Sequence, residues 1–168
     1  MNRRLADLWL LAVSLGCTQP GPRDAAPANS NFAEYRGKVV ITGSEQSTSV
    51  RLVGDSGNVE LVGALQAELR RLSGAGLVAR GSLRGSRPVQ TLDVSDYEIA
   101  DIDGEVPTTG ILKAENGRTL LAGKDTLELV DPPAALVTKT GGKAWVVGPR
   151  SGGRLTVQSF GIIRDPSP

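Results

Sequence analysis

The side chains that most often do chemistry in proteins are scarce in this sequence. Histidine is absent, and Cys17 is the only cysteine among 168 residues. Without histidine, the commonest general base and zinc ligand are missing, and neither a Ser-His nor a Cys-His pair can form. Ser151 and Lys143 could form a Ser-Lys pair across a hairpin, although a turn and a strand edge explain them more simply. The sequence therefore predicts a protein that is not an enzyme and needs no cofactor.

A run of acidic residues in the middle of the chain is the best candidate for a metal site. Asp101, Asp103 and Glu105 surround Gly104 in an order that resembles part of a calcium loop. The run lacks the third oxygen ligand before the glycine and the distal glutamate that make such a loop specific. These three residues are therefore weak calcium candidates, and a solvated turn is the simpler interpretation.

Arginines at two predicted hairpin tips are the candidate ligand-binding residues. Arg84 and Arg87 fall in the first hairpin, and Arg150 and Arg154 fall in the second. Guanidinium groups bind phosphate and carboxylate through paired hydrogen bonds, although solvation of exposed arginines at a hairpin tip is the simpler explanation. Trp145 is the candidate stacking residue beside them. A net charge of +1 and the lack of several such aromatics argue against nucleic acid as a partner.

The N-terminus has the features of an export signal. Two arginines precede an apolar run over 8–15, which is too short to span a membrane as a helix. The sequence Ser-Leu-Gly-Cys over 14–17 resembles the lipobox of bacterial lipoproteins, in which a peptidase cuts before a lipidated cysteine. The resemblance implies that 1–16 is a signal peptide and that Cys17 is lipidated. In that family an aspartate after the cysteine retains the protein in the inner membrane, and Thr18 at this position therefore implies the outer membrane. An ordinary secretory signal cut near the same place is the alternative.

The chain after the signal is predicted to begin with a tether. Removing 1–16 takes two arginines and one aspartate from 19 basic and 18 acidic residues and leaves 17 of each. Overall charge would not hold such a chain to lipid headgroups, whereas acyl chains on Cys17 would. The segment 17–31 contains three prolines and no apolar periodicity, which predicts a flexible tether between the lipidated cysteine and the folded part.

The rest of the chain is interpreted as two copies of one unit, over 32–103 and 104–168. Their motifs follow in the same order, most clearly where Leu-x-Val-x-x-Tyr-x-Ile over 92–99 matches Leu-x-Val-x-x-Phe-x-Ile over 155–162. Shared order indicates a repeated structural unit. In both copies the apolar positions alternate up to the valine and then jump by three to the aromatic residue, which predicts a β-bulge.

Each copy predicts the order strand, strand, strand, helix, strand, strand. Frequent glycine and proline with few aromatics favour short strands joined by turns. The helices are predicted over 64–72, ended by Gly74, and around Leu136 with Asp131 as N-cap. The element order resembles the OB-fold, a five-stranded Greek-key barrel. The resemblance implies a mainly β protein with two tandem small OB-like β-barrels, each with one short helix, and a β-sandwich is the alternative.

These observations predict an exported lipoprotein, anchored by lipid in the cell envelope, at the outer membrane or on a periplasmic or extracellular face. We expect a non-catalytic binding or adaptor module whose partners are the membrane and an anionic envelope glycan, a lipid or a protein. In OB-folds the hairpin between the last two strands lies beside the usual binding surface, which puts the arginines in a suitable place. The alternatives are a structural envelope lipoprotein that contacts proteins through strand edges and, less favoured, a calcium-dependent binding protein or a hydrolase.

Overall fold

The computed structural model describes residues 31–44, 47–55, 57–86 and 89–167. The predicted signal peptide, Cys17 and nearly all of the predicted tether lie outside this part of the chain. Within it the protein is mainly β, with twelve strands in two sheets and two short helices. None of the helices in these four ranges is long and apolar enough to span a membrane.

Five strands form the first sheet, which we call the closed sheet. They are β1 (Phe32–Ser44), β2 (Ser47–Gly54), β3 (Gly57–Val62), β4 (Gly76–Ser86) and β5 (Val89–Asp101), and α1 (Gln66–Arg70) lies between β3 and β4. The strands pair in the order β1-β2-β3-β5-β4, and β4 pairs back with β1, which closes the sheet into a barrel. Only β3 and β5 are parallel. The order of strands and helix predicted for this unit is confirmed.

Of the two predicted β-bulges, the one in the first copy is present in β5, whereas the strand of the second copy is interrupted between Thr156 and Ser159. The register between β4 and β5 shifts by one residue at Ser95. Val94 and Ile99 are five residues apart and would face opposite sides of a regular strand. Because the bulge adds one residue between them, both side chains point into the core, at 3% and 6% exposure.

Seven strands form the second sheet, which we call the open sheet. They are β6 (Thr108–Glu115), β7 (Arg118–Ala122), β8 (Thr126–Val130), β9 (Lys143–Val147), β10 (Arg150–Ser151), β11 (Arg154–Thr156) and β12 (Ser159–Arg164), and α2 (Ala134–Val137) lies between β8 and β9. The order is β10-β11-β8-β7-β6-β9-β12, with β11 parallel to β8.

The last predicted strand is split into β11 and β12, and this is the main difference from the closed sheet. After Thr156 the chain leaves β8, the Gln158 N–H donates to the Val147 carbonyl at 3.0 Å, and β12 then pairs with β9. β9 ends before Pro149, which has no N–H to extend the ladder. The matching position in β4 is Ser82, and β4 continues past it.

The two helices are short, with five residues in α1 and four in α2. The helix predicted over 64–72 is shorter, over Gln66–Arg70, and Gly74, predicted to end it, has φ +89° at the end of the turns that follow. The prediction of Asp131 as the N-cap of α2 is wrong, because Pro133 occupies that position and no side chain caps the helix. Asp131 instead adopts φ +48° in the preceding turn. Leu136 is fully buried, as predicted.

Each sheet encloses its own core, and β12 contributes to both. Phe160 and Ile162 pack against the core of the open sheet, whereas Ile163 points the other way and is 1% exposed within the core of the closed sheet. Burial of an isoleucine side chain contributes about 2 kcal/mol. Trp145 of β9 packs against the same closed-sheet core. The two sheets are therefore joined by apolar packing of β9 and β12 against the closed sheet.

Candidate binding surfaces

Of the two candidate arginines in the first predicted hairpin, Arg84 lies in the described part of the chain. Arg84 lies on β4 with its side chain 70% exposed, and its Nη2 is 2.8 Å from Asp93 Oδ2. Arg87 lies outside the described residues. A surface ion pair of this kind contributes little, so the Arg84 guanidinium can exchange Asp93 for another anion at small cost.

The two arginines of the second hairpin contact different neighbours. They lie on either side of a turn in which Gly152 and Gly153 both have positive φ, as a type I′ turn requires. Arg154 Nε is 3.9 Å from Glu128 Oε2, whereas Arg150 Nη2 donates to Thr108 Oγ1. Each arginine also lines a separate cleft. The structure therefore does not bring Arg150 and Arg154 onto one ligand position.

The cleft beside Arg150, which we call the junction cleft, lies where the chain passes from the closed sheet to the open sheet. Its volume is about 200 Å³, and its polar and exposed lining includes Glu98, Val106, Thr108, Lys124, Asp125 and Arg150. Val106 is 78% exposed. Within the described ranges, no carboxylate comes within 4.0 Å of the cationic nitrogens of Lys124 or Arg150. Two cations without a carboxylate partner therefore border one small cleft.

Trp145 lies between the two sheets. Its indole packs against the closed-sheet core and covers Gly161, the residue opposite it on β12. A Cβ atom at Gly161 would lie 2.5 Å from Trp145 Nε1, so glycine is what allows the ring to lie flat on β12. The contacts of Trp145 are thus with the protein itself, and its predicted role in ligand binding stays a prediction.

The acidic run folds into a tight turn. Asp103 and Gly104 both have positive φ, and Ile102 and Glu105 exchange backbone hydrogen bonds at 2.8 and 3.0 Å. Asp101 Oδ1 accepts a hydrogen bond from the Gly104 N–H at 3.3 Å. Across the part of the chain that the structure describes, no three acidic, histidine or cysteine side chains converge as metal ligands. Asp101, Asp103 and Glu105 belong to this turn, and calcium binding by them stays a prediction.

Lys143 makes its contacts away from Ser151, the other residue of the candidate Ser-Lys pair. The Lys143 ammonium donates to Glu68 Oε2 and to the Tyr97 hydroxyl, both at 2.9 Å, and lies 4.4 Å from the centre of the Tyr97 ring. Ser151 is exposed at the start of the hairpin turn. The Lys143 ammonium thus donates its hydrogen bonds to Glu68 and to Tyr97 of the closed sheet.

The most buried charge among the described residues lies where the two sheets meet. Glu68 on α1 is only 7% exposed. It accepts hydrogen bonds from Tyr97 at 2.5 Å, from Lys143 at 2.9 Å and from Arg164 at 3.2 Å. Tyr97 belongs to the closed sheet, and Lys143 and Arg164 belong to the open sheet. We call these four residues the Glu68 cluster, and it links the two sheets.

Contacts within the Glu68 cluster shift the pKa values of Glu68 and Tyr97. Burial by itself would raise the pKa of Glu68, but hydrogen bonds from Tyr97 and Lys143 and the charges of Lys143 and Arg164 bring that pKa below its usual value. Burial, followed by the hydrogen bond to Glu68 and the negative charge of Glu68, raises the pKa of Tyr97. Tyr97 is therefore a neutral donor to an ionised carboxylate at neutral pH.

A second ionic contact lies at the same boundary. Asp165, directly after β12, accepts from Lys139 at 2.7 Å and from Arg71 at 2.6 Å. These hydrogen bonds lower the pKa of Asp165. Arg71 follows α1, so this contact also joins the closed sheet to the C-terminal end of the chain.

Sequence reasoning did not find the Glu68 cluster. Glu68 lies among leucines at helical spacing, as a solvent-facing charge does on many amphipathic helices, and its partners are 29 to 96 residues away along the chain. No protein-family model matches this chain, and no curated protein matches it. Its function must therefore be inferred from its own residues.

Proposed function

We propose that this protein is an exported lipoprotein, anchored in the cell envelope through Cys17, that acts as a non-catalytic binding or adaptor module. The observation that carries the proposal is the position of Cys17. It is the only cysteine, and it directly follows Gly16 at the end of the apolar run over 8–15. Several acyl chains on one cysteine give stable anchoring by burial of their methylene groups.

The proposal includes the assignment of both units as OB-like barrels. The closed sheet supports it, because its strand order β1-β2-β3-β5-β4 closes onto β1 with only β3 and β5 parallel. In the open sheet, β11 and β12 together correspond to β5. β11 pairs in parallel with the third strand, β8, and β12 pairs with the fourth, β9. If β11 and β12 are taken as one interrupted strand, both units have the same neighbour order.

The junction cleft is the ligand site that we propose for this module. Among the described residues, no carboxylate lies within 4.0 Å of the cationic nitrogens of Arg150 and Lys124, although Glu98 and Asp125 also line the cleft. The Thr108 hydroxyl accepts from Arg150, and Thr109 supplies a second hydroxyl. Cations with free donors bind phosphate or carboxylate groups. The ligand would be an anionic group of an envelope glycan, lipid or protein that fits a cleft of about 200 Å³.

A purely structural envelope lipoprotein is the second candidate. The observation that favours it is the open edge of β12, which pairs only with β9 among the described strands. Unpaired strand edges present N–H and C=O groups that can add a strand from another protein.

The experiment that separates these candidates compares arginine variants. Arg150→Ala alone, and the combined change of Arg84, Arg87, Arg150 and Arg154 to Ala, are tested for retention on peptidoglycan sacculi, on lipopolysaccharide and on envelope protein fractions. Arg118→Ala is the matched control, because Arg118 is 67% exposed and lies near Glu128 outside the junction cleft. Loss of retention with Arg150→Ala supports the cleft. Unchanged retention of the combined variant contradicts binding by these arginines and favours the structural candidate.

A further inference from the structure

The first residues of β1 and the paired ends of β4 and β5, at Ser86 and Val89, lie at the same end of the closed sheet. Phe32, the first residue of β1, is opposite Ser82 on β4. The pairing extends one step further, where the Leu83 N–H donates to the Asn31 carbonyl at 2.8 Å. β4 then continues past this point to Ser86. The polypeptide that leads back to Cys17 therefore leaves the closed sheet beside these ends of β4 and β5.

This end exposes an aromatic ring next to a cation. Phe32 is 59% exposed, and the Arg84 side chain is 70% exposed. Phe32 and Ser82 are cross-strand neighbours and share a face, and Arg84 lies two residues along β4 on that same face. On β1 the alternate residues Ala33 and Tyr35 pack against the core, so Phe32 points outward by register. We call the surface of Phe32, Ser82 and Arg84 the docking face.

We propose that the docking face rests on the anionic phospholipid bilayer that holds Cys17. This inference rests on the proposed function, because it requires the lipid anchor. Thirteen residues separate Cys17 from Asn31. Fully extended, they span at most about 45 Å, so the tether keeps this end near the bilayer but does not by itself press it there. The docking face supplies the attraction.

The chemistry of the docking face fits a bilayer interface. An exposed aromatic ring at the level of the headgroups buries apolar surface, and an adjacent arginine binds lipid phosphate while its stem packs on that surface. Asp93 is the carboxylate that competes for Arg84, at 2.8 Å. Because both groups are at least 37% exposed, the exchange of this carboxylate for a phosphate costs little. A chain with no net charge after the signal can still be oriented by this local surface.

The next charged residues on the same face of β1 do not compete with the bilayer. Glu34 is already bound by Arg80 at 2.8 Å and by Arg36 at 3.3 Å. The hydrogen bond from Arg80 is the main reason that the pKa of Glu34 lies below its ordinary value. Glu34 is thus paired within the closed sheet, and Arg80 also contacts Asp96 at 3.2 Å and Glu98 at 3.9 Å further along the sheet.

The test measures the depth of two labelled positions in the same reconstituted protein. The full chain is expressed with residues 1–16, purified in detergent and placed in phosphatidylglycerol–phosphatidylethanolamine vesicles that contain a nitroxide-labelled lipid. Ser82→Cys and Ser44→Cys each receive an NBD fluorophore. Both changes replace an exposed serine of the closed sheet, and Ser44 lies at the opposite end of β1 from Phe32. Flotation of the unlabelled chain reports the anchor separately.

We expect the probe at position 82 to shift to shorter wavelength and lose fluorescence to the nitroxide, and the probe at position 44 to do neither. Phe32→Ala with Arg84→Glu should abolish the difference between the two positions. Equal quenching at both positions in a chain that floats overturns the docking face and leaves the anchor intact. Protection of position 82 without quenching by the nitroxide, with dimers in detergent, shows that a second copy covers the face and also overturns the proposal. A chain that does not float overturns both the anchor and the docking face.

Discussion

Tyr97 of the closed sheet donates its hydroxyl hydrogen to Glu68 over 2.5 Å, and Lys143 of the open sheet donates to both groups at 2.9 Å. One buried carboxylate thus receives hydrogen bonds from both halves of the protein. Ile163 and Trp145 pack at the same boundary. The orientation of the two sheets is therefore set by a polar cluster with an apolar surround, and both parts can be tested.

Removal of the Glu68 carboxylate should destabilise the protein. Glu68→Ala leaves Lys143 and Arg164 without their shared acceptor, and we expect a loss of about 2 kcal/mol in the free energy of unfolding. Urea unfolding followed by circular dichroism measures this loss. Glu115→Ala, an exposed glutamate on β6, is the control and should change the free energy by less than about 0.5 kcal/mol. Equal values for the two variants would show that the cluster contributes nothing.

The same carboxylate should make stability depend on acid pH. In the folded protein the pKa of Glu68 is below its ordinary value of 4.5. The ionised form is thus favoured by folding, so its contribution is full above pH 4.5 and is lost as the pH falls through the lowered folded value. We expect urea midpoints that are constant from pH 7 to about 5 and fall below that, less steeply in Glu68→Gln than in the wild type.

The Glu68→Gln variant should keep part of the acid-pH dependence of stability, because the pKa values of Asp165 and Glu34 are also lowered in the folded protein. A slope identical to that of the wild type would contradict the role of Glu68.

Tyr97 should make stability depend on alkaline pH in the opposite sense. Its pKa is raised above the ordinary 10.0 in the folded protein. The neutral form is favoured by folding, so its contribution is full below pH 10 and declines as the pH rises above that value, where only the unfolded chain ionises. The wild type should lose stability as the pH rises above about 10, and Tyr97→Phe should lose less, as measured by urea midpoints. A Tyr35→Phe control, whose hydroxyl makes a bond of 3.4 Å to Gln90, should behave as the wild type.

A methyl group at position 161 should disturb the apolar part of the boundary. Gly161→Ala places a Cβ atom 2.5 Å from Trp145 Nε1, so the ring must move away from β12. We expect a loss of about 1 to 3 kcal/mol and a red-shifted tryptophan emission. Trp145 is the only tryptophan after residue 16, so the emission of the processed chain reports this ring alone. Ser159→Ala, at an exposed position of the same strand, is the control, and a matching spectrum in both variants would contradict the close contact.

Much of the fold could be predicted because it depends on residues that are close together in the sequence. The jump of three residues between Val94 and Tyr97 predicts the bulge that the structure places at Ser95. Positive φ at Gly74 and burial of Leu136 also follow from short-range signals. The split of the last strand was missed, because the missing N–H of Pro149 acts on a neighbouring strand and not on its own segment.

The surroundings of the candidate site residues could not be predicted in the same way, because they depend on contacts with residues far away in the sequence. Arg150 and Arg154 are four residues apart, yet one reaches Thr108 and the other Glu128. The type I′ turn between them places them on neighbouring strands with different surroundings. Glu68 has the spacing of an ordinary surface glutamate, yet contacts with distant residues of β5, β9 and β12 accompany its position as the most buried charge among the described residues.

Intact mass spectrometry of the protein extracted from membranes tests the lipoprotein proposal most directly. We expect a chain that begins at Cys17 and carries the added mass of acyl-glyceryl lipid. We also expect Cys17→Ala, with the same signal, to lose that mass and to leave the detergent-extracted membrane fraction. A processed chain with a free Cys17 thiol, or a Cys17→Ala chain that stays in the membrane fraction, would contradict the lipoprotein proposal.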